Sequence, residues 1–159
     1  MQKIVPHFWF NTEAKEATAL YASLFPDSKI KSVTTITNTP SGDADIVTFK
    51  LAGIDFMAIS AGPLFKLNPS ISLFVTFDDE KEIENVWNAL SPGGKVLMEF
   101  NTYPWAQKYG WLQDKYGLSW QLSMSEHHKM EQRITPMVMF TGAVVGKAKE
   151  AIDVAAANP

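Results

Sequence analysis

Pro104-Trp105-Ala106-Gln107-Lys108-Tyr109-Gly110-Trp111-Leu112-Gln113-Asp114-Lys115-Tyr116-Gly117-Leu118-Ser119-Trp120-Gln121-Leu122 is the stretch from which the fold is read. Three tryptophans and two tyrosines crowd into it, interrupted by Gly110, Asp114 and Gly117. The pattern predicts two short strands joined by a tight turn at Asp114-Lys115-Tyr116-Gly117. Asp supplies a side-chain bond to the turn backbone, and Gly tolerates the positive φ that reversal requires. From Leu118 to Met124 the residues alternate. Ser119, Gln121 and Ser123 share one face, and Leu118, Trp120, Leu122 and Met124 share the other. A Gln at the centre of such an aromatic hairpin is a candidate for lining a pocket.

Upstream of the hairpin, Ile71, Leu73, Val75 and Phe77 alternate as a strand. Asp79 with Glu82 three residues on makes a capping box, and Ile83, Val86, Trp87 and Leu90 form a helical stripe. Ser91-Pro92-Gly93-Gly94 stops that helix, and Lys95 to Phe100 is a further strand. This half therefore reads β-α-β-β-β. The first half has the same order. Ile4 to Phe10 is a strand, and Asn11 or Thr12 caps a helix with Ala17, Leu20, Tyr21, Leu24 and Phe25 on one face. Lys29–Thr37, Ile46–Leu51 and Ile54–Ser60 are strands. Gly62-Pro63 and Asn68-Pro69 mark the loop between the halves. Two such modules, about 1–62 and 70–124, predict an α+β fold. Paired βαβββ modules form a curved, cleft-bearing mixed sheet with one helix over each half.

Residues 125–133 are polar and read as a linker. The tail, 134–159, then repeats an opening. Ile134-Thr135-Pro136-Met137-Val138-Met139-Phe140-Thr141 follows the pattern of Ile4-Val5-Pro6-His7-Phe8-Trp9-Phe10-Asn11, and Gly146 to Ile152 follows that of the first helix. The tail thus resembles the start of a further module. A lone strand and helix with an apolar face are expected to pack on this domain or on a partner.

Composition narrows the function. Of 159 residues 46% are hydrophobic, which predicts a folded protein rather than disorder. The net charge of −3, with no Lys/Arg run, argues against nucleic acid. No apolar run reaches the length of a membrane helix, and no signal peptide is visible. There is no cysteine, so thiol catalysis, disulfides and Cys-based metal sites are excluded. These features suit a cytoplasmic protein. No Gly-x-Ser-x-Gly elbow or phosphate loop is present. Gly93-Gly94 follows a helix and is not the glycine turn of a doubly wound nucleotide-binding domain.

Glu13-Ala14-Lys15-Glu16-Ala17, the run from Tyr21 to Ile30 (Tyr-Ala-Ser-Leu-Phe-Pro-Asp-Ser-Lys-Ile), Leu90-Ser91-Pro92-Gly93-Gly94-Lys95-Val96 and the stretch Pro104–Leu122 occur in this order. Through them residues 1–124 resemble the PhnB-like branch of the vicinal oxygen chelate (glyoxalase/bleomycin-resistance/dioxygenase) superfamily. That branch is often described as a 3-demethylubiquinone-9 3-methyltransferase domain. The resemblance implies paired βαβββ modules around a cleft, usually in a homodimer. In metal-using members, ligands come from the first and last strands of each module. The resemblance carries those positions to His7, to Ala58 or a residue one or two away, to Ser72 and to Gln121.

An imidazole, an amide, a hydroxyl and an alanine make a poor set for a hard divalent ion. The expected metal ligands, for a possible divalent ion, are therefore His7 and Gln121 alone. The expected ligand-binding residues are His7, Trp9, Ser72, Phe74, Trp105 and Gln121. The adjacent His127 and His128 point oppositely in an extended chain and are not expected to share an ion. Three functions stay open. One is metal-free binding of a small, partly apolar molecule without turnover. Another is a metal-dependent lyase, isomerase or dioxygenase acting on vicinal oxygens, or the methyltransferase of the domain's description. The last is one structural part of a longer tandem protein.

Overall fold

The structure is a computed structural model that describes residues 2, 4–40, 42–124 and 132–157. The first module comprises β1 (His7–Phe10), α1 (Ala14–Leu24), β2 (Lys29–Thr39), β3 (Gly42–Leu51) and β4 (Ile54–Ser60). The second comprises β5 (Ile71–Phe77), α2 (Glu80–Leu90), β6 (Lys95–Tyr103), β7 (Ala106–Gln113) and β8 (Ser119–Met124). Beyond them lie β9 (Ile134–Val138), a 3-10 turn at Gly142–Val144 and α3 (Ala148–Ala157). The strands form two mixed sheets, ordered β1-β4-β3-β2 and β6-β7-β8-β5-β9. In each, the first and last strands of the module run parallel, β1 with β4 and β5 with β8.

Alternation in the sequence became sidedness in the sheets. Phe8, Phe10, Val47, Phe49, Phe56 and Ala58 are buried on the inner face of the first sheet, under α1. Leu73, Val75, Phe77, Leu112, Trp120 and Leu122 do the same in the second, under α2. The two halves share one core. Tyr21 of α1 and Phe25, just past its C-terminus, lie against Trp120, with ring centroids 5.0 and 6.0 Å away.

Asp114 closes this junction. Its Oδ2 accepts from Tyr21 Oη–H at 2.6 Å and Trp120 Nε1–H at 2.9 Å. Its Oδ1 accepts from the backbone N–H groups of Tyr116 and Leu118 at 2.9 and 3.0 Å. Burial pushes the carboxyl above its ordinary pKa, while these donors pull it back. The Tyr21 phenol, buried beside that carboxyl, is held well above its usual range.

Several local expectations are corrected. β1 starts at His7 rather than Ile4. Neither Asn11 nor Thr12 caps α1; Glu13 holds that position without a side-chain cap, and the first helical N–H, that of Ala14, is taken by Ser60 Oγ at 3.0 Å instead. A distant strand thus does the work expected of a local cap. Asp79 does cap α2, accepting from Glu82 N–H at 2.9 Å. Residues 125–131 of the expected linker, including His127 and His128, lie outside the described residues.

Gly110 is a place where only hydrogen fits. Trp87 and Phe100 stack at 4.8 Å, and a Cβ at 110 would collide with Trp87 and come within 2.9 Å of Phe100. Gly110→Ala is expected to cost about 2 kcal/mol by overpacking, read as a lower denaturant midpoint with unchanged slope.

Candidate ligand-binding site

The outer face of the second sheet carries the polar residues that the hairpin sends away from the core. Turn geometry sets the register. Trp111 pairs with Gln121 and Tyr109 with Ser123 across β7–β8, while Phe74 pairs with Gln121 and Ser72 with Ser119 across β5–β8. Because successive side chains alternate, Ser72, Phe74, Tyr109, Trp111, Ser119 and Gln121 share this face.

Gln121 lies at its centre, 9% exposed. Tyr109 Oη–H donates to its Oε1 at 2.8 Å, and its Nε2 donates to Ser72 Oγ at 2.8 Å. The same nitrogen points at Met137 Sδ of β9, 3.4 Å away. Burial, with Tyr103 adjacent, pushes the Tyr109 phenol up to about 12. It therefore remains a neutral donor throughout the physiological range. Trp105 extends the face as an aromatic wall, stacked on Tyr103 at 5.0 Å and edge-on to Tyr109 at 6.5 Å. Half of its surface is open to solvent.

Of the six expected ligand-binding residues, Ser72, Phe74, Trp105 and Gln121 fall on this one face. His7 and Trp9 lie on the other sheet, on its outer face. His7 is exposed, yet partial burial lowers its imidazole pKa below the ordinary value. Trp9 donates from Nε1 to Gly62 O at 2.8 Å and meets Phe65 edge-on at 5.0 Å. With Phe65, Lys66, Leu67, Lys115 and Tyr116 it lines a surface cavity of about 440 Å³ between the modules. Tyr109 and Met137 were not among the expected site residues. The turn register could have found Tyr109, because it places that residue two positions from Trp111 on the Gln121 face.

Within one chain these residues do not fit a metal ion. Ala58 is fully buried on the inner face, paired with Phe8, and the outer-facing residue beside His7 is Met57. The Gln121 oxygen is engaged by a phenol, and Ser72 by the amide. Among the described residues no cluster of three His, Asp or Glu side chains could hold an ion.

Residues 2–123 match the family described as 3-demethylubiquinone-9 3-methyltransferase. The chain belongs to that family. It also shares the fold of the glyoxalase/bleomycin-resistance/dioxygenase, or vicinal oxygen chelate, superfamily. The PhnB protein of Bacillus cereus, which carries the same family description, is 40% identical, with 78% of this chain covering 100% of that one at a TM-score of 0.73. A Pseudomonas aeruginosa protein is 22% identical over 79% of this chain and 98% of that one, with a TM-score of 0.68. A fosfomycin resistance protein of Listeria monocytogenes, solved with Mn(II) and a dihydroxypropylphosphonic acid, is 10% identical over 77% of this chain and 93% of that one, at a TM-score of 0.50. No curated protein sequence matches the chain. Among the described residues no helix is long and apolar enough to cross a membrane.

Proposed function

We propose that this family member binds a small, planar, partly apolar molecule on the Gln121 face and releases it unchanged, as a cytoplasmic homodimer. The observation that carries the reading is the Tyr109–Gln121–Ser72 chain of hydrogen bonds under an exposed aromatic wall. Apolar surface supplies affinity, and one positioned amide and one hydroxyl supply orientation. The Tyr109 and Ser72 hydroxyls and the Gln121 amide are hydrogen-bonded to one another, so none of the three is paired with an activating base. Phe74 and Trp105 take the molecule's faces, Ser72 and Gln121 take its polar edge, and His7 and Trp9 serve as further contacts from the first sheet. The domain boundaries follow, with 1–124 as the binding domain, 125–133 as linker and 134–159 as tail.

The Mn(II) held by the Listeria relative keeps a second reading in play, a metal-dependent enzyme acting on vicinal oxygens. Calorimetric titration with Ni²⁺, Zn²⁺ and Mn²⁺ separates the two. No stoichiometric binding is expected, and His7→Ala is expected to leave each trace unchanged. One tightly held ion per chain that disappears in His7→Ala would favour the enzyme and overturn the binding reading.

A further inference from the structure

The cavity of about 440 Å³ beside Trp9 is walled by three segments far apart in sequence. They are the end of β1 with the turn into α1, the loop between β4 and β5, and the turn between β7 and β8. Of the residues assigned to the ligand of the Gln121 face, only Trp9 lines it.

The β4–β5 loop is pinned at both ends. Ala61 and Gly62 donate their N–H groups to Phe10 O and Asn11 O at 3.1 and 3.0 Å, and Gly62 turns with a φ of 82°. Farther along, Leu67 packs against the core, and Asn68 Oδ1 accepts from Ser70 N–H at 3.0 Å. Between these pins the chain carries Leu64 and Phe65 outward, 73% and 60% exposed. Apolar side chains held in water at the rim of a cavity of this size are the makings of a small-molecule site.

The aromatic walls are fixed from behind. Trp9 donates its Nε1–H to Gly62 O at 2.8 Å and meets Phe65 edge-on at 5.0 Å. Tyr116 donates its Oη–H to Glu16 at 2.6 Å, and its ring lies edge-on to Phe10 and Tyr21 at 6.4 and 6.1 Å. The polar edges of both rings are satisfied by the protein. What they offer a ligand is apolar surface in a set orientation, which lowers the ordering cost of binding.

Charge selects the ligand's polar end. Lys115 Nζ donates to Glu16 at 2.8 Å and lies 4.7 Å from the centroid of the Tyr116 ring, so its charge is already matched. The Glu13 carboxylate accepts from Thr12 N–H at 2.8 Å. Lys66 also lines the cavity, and it has no ion-pair or hydrogen-bond partner among the described residues. An ammonium without a partner beside apolar walls favours an anion.

We infer that this cavity is a second small-molecule site, separate from the Gln121 face, for a planar aromatic acid. The ring lies among Trp9, Phe65 and Tyr116, and the carboxylate meets Lys66. An amine of the same shape meets Lys66 and Lys115 as like charges. Neutral planar molecules, which Lys66 does not select, report on the Gln121 face without interference from this site.

Three probes with one ring system and different charge test the assignment: indoleacetate, tryptamine and tryptophol. Each is titrated calorimetrically into the native full chain and into Phe65→Ala, Lys66→Glu and Gln121→Leu. Indoleacetate is expected to bind most tightly of the three. Lys66→Glu should weaken it about tenfold, because the change removes an attraction and adds a repulsion, and should erase its advantage over tryptamine. Phe65→Ala should weaken all three probes, and Gln121→Leu should leave the acid's affinity unchanged. Phe65 and Lys66 are exposed, so neither variant opens the core, and circular dichroism checks that both fold. No binding of indoleacetate, tighter binding of tryptamine by the native chain, or an affinity for the acid that ignores both Lys66→Glu and Phe65→Ala would overturn the inference. Loss of the acid in Gln121→Leu alone would defeat this site and leave the reading of the Gln121 face standing. Binding as expected here, with no ligand for the Gln121 face, would do the reverse.

Discussion

Asp114→Ala is expected to lower the free energy of unfolding by about 4 kcal/mol, because it leaves several buried donors without an acceptor at the module junction. The Tyr21 and Trp120 side chains and the Tyr116 and Leu118 amides all end on this one carboxylate. Asp114 is 4% exposed, so water cannot replace it. The loss should appear in chemical denaturation as a lower midpoint. If Asp114→Ala moved the midpoint no more than a surface substitution does, the junction would not be the lock described. Asp114→Asn keeps the shape and supplies the pH test. The folded carboxyl has a raised pKa, so the folded state binds more protons than the unfolded one between the ordinary and the raised value. The contribution of this group to stability therefore falls as pH rises through that window. The stability gap between native chain and Asp114→Asn is expected to widen on acidification toward pH 4.

Gln121→Leu is expected to reduce affinity for the small-molecule ligand about 100-fold, since it removes the central polar contact and leaves the Tyr109 hydroxyl and Ser72 without their partner. Ser72→Ala should act in the same direction but less, because Tyr109 still holds the amide. Tyr109→Phe separates orientation from contact. It frees the Gln121 oxygen to rotate, so affinity should fall while the fold stays intact. Each is read by calorimetric titration alongside thermal unfolding, so that lost binding is distinguished from lost structure.

The repeated strand–helix–strand order was legible because each element carries its own period. Ile54–Ser60 and Ile71–Phe77 appear in the structure with the bounds the alternation implied, and Asp79 caps its helix as the spacing indicated. The split of Ser119, Gln121 and Ser123 from Trp120 and Leu122 was equally local. What escaped were facts held between distant segments. Ser60 substitutes for a cap that Asn11 or Thr12 was expected to provide, and no local signal records a hydroxyl 46 residues away. Asp114 reads as an ordinary turn residue until α1 brings Tyr21 against it. The inward face of Ala58 depends on the parallel pairing of β1 with β4, in which a shift of one residue exchanges the two faces. The separation of His7 and Trp9 from Gln121 is likewise a matter of which sheet edges meet. The tail's likeness to β1 was visible in its letters; its antiparallel place on β5 was not.

The most direct test of the binding face is a ligand-observed NMR screen of small planar aromatic molecules. Its hits are then titrated calorimetrically into the native chain and into Gln121→Leu. The account predicts at least one molecule bound by the native chain, recovered chemically unchanged, and lost in Gln121→Leu. Equal affinity for both proteins, or conversion of the molecule during the titration, would contradict it.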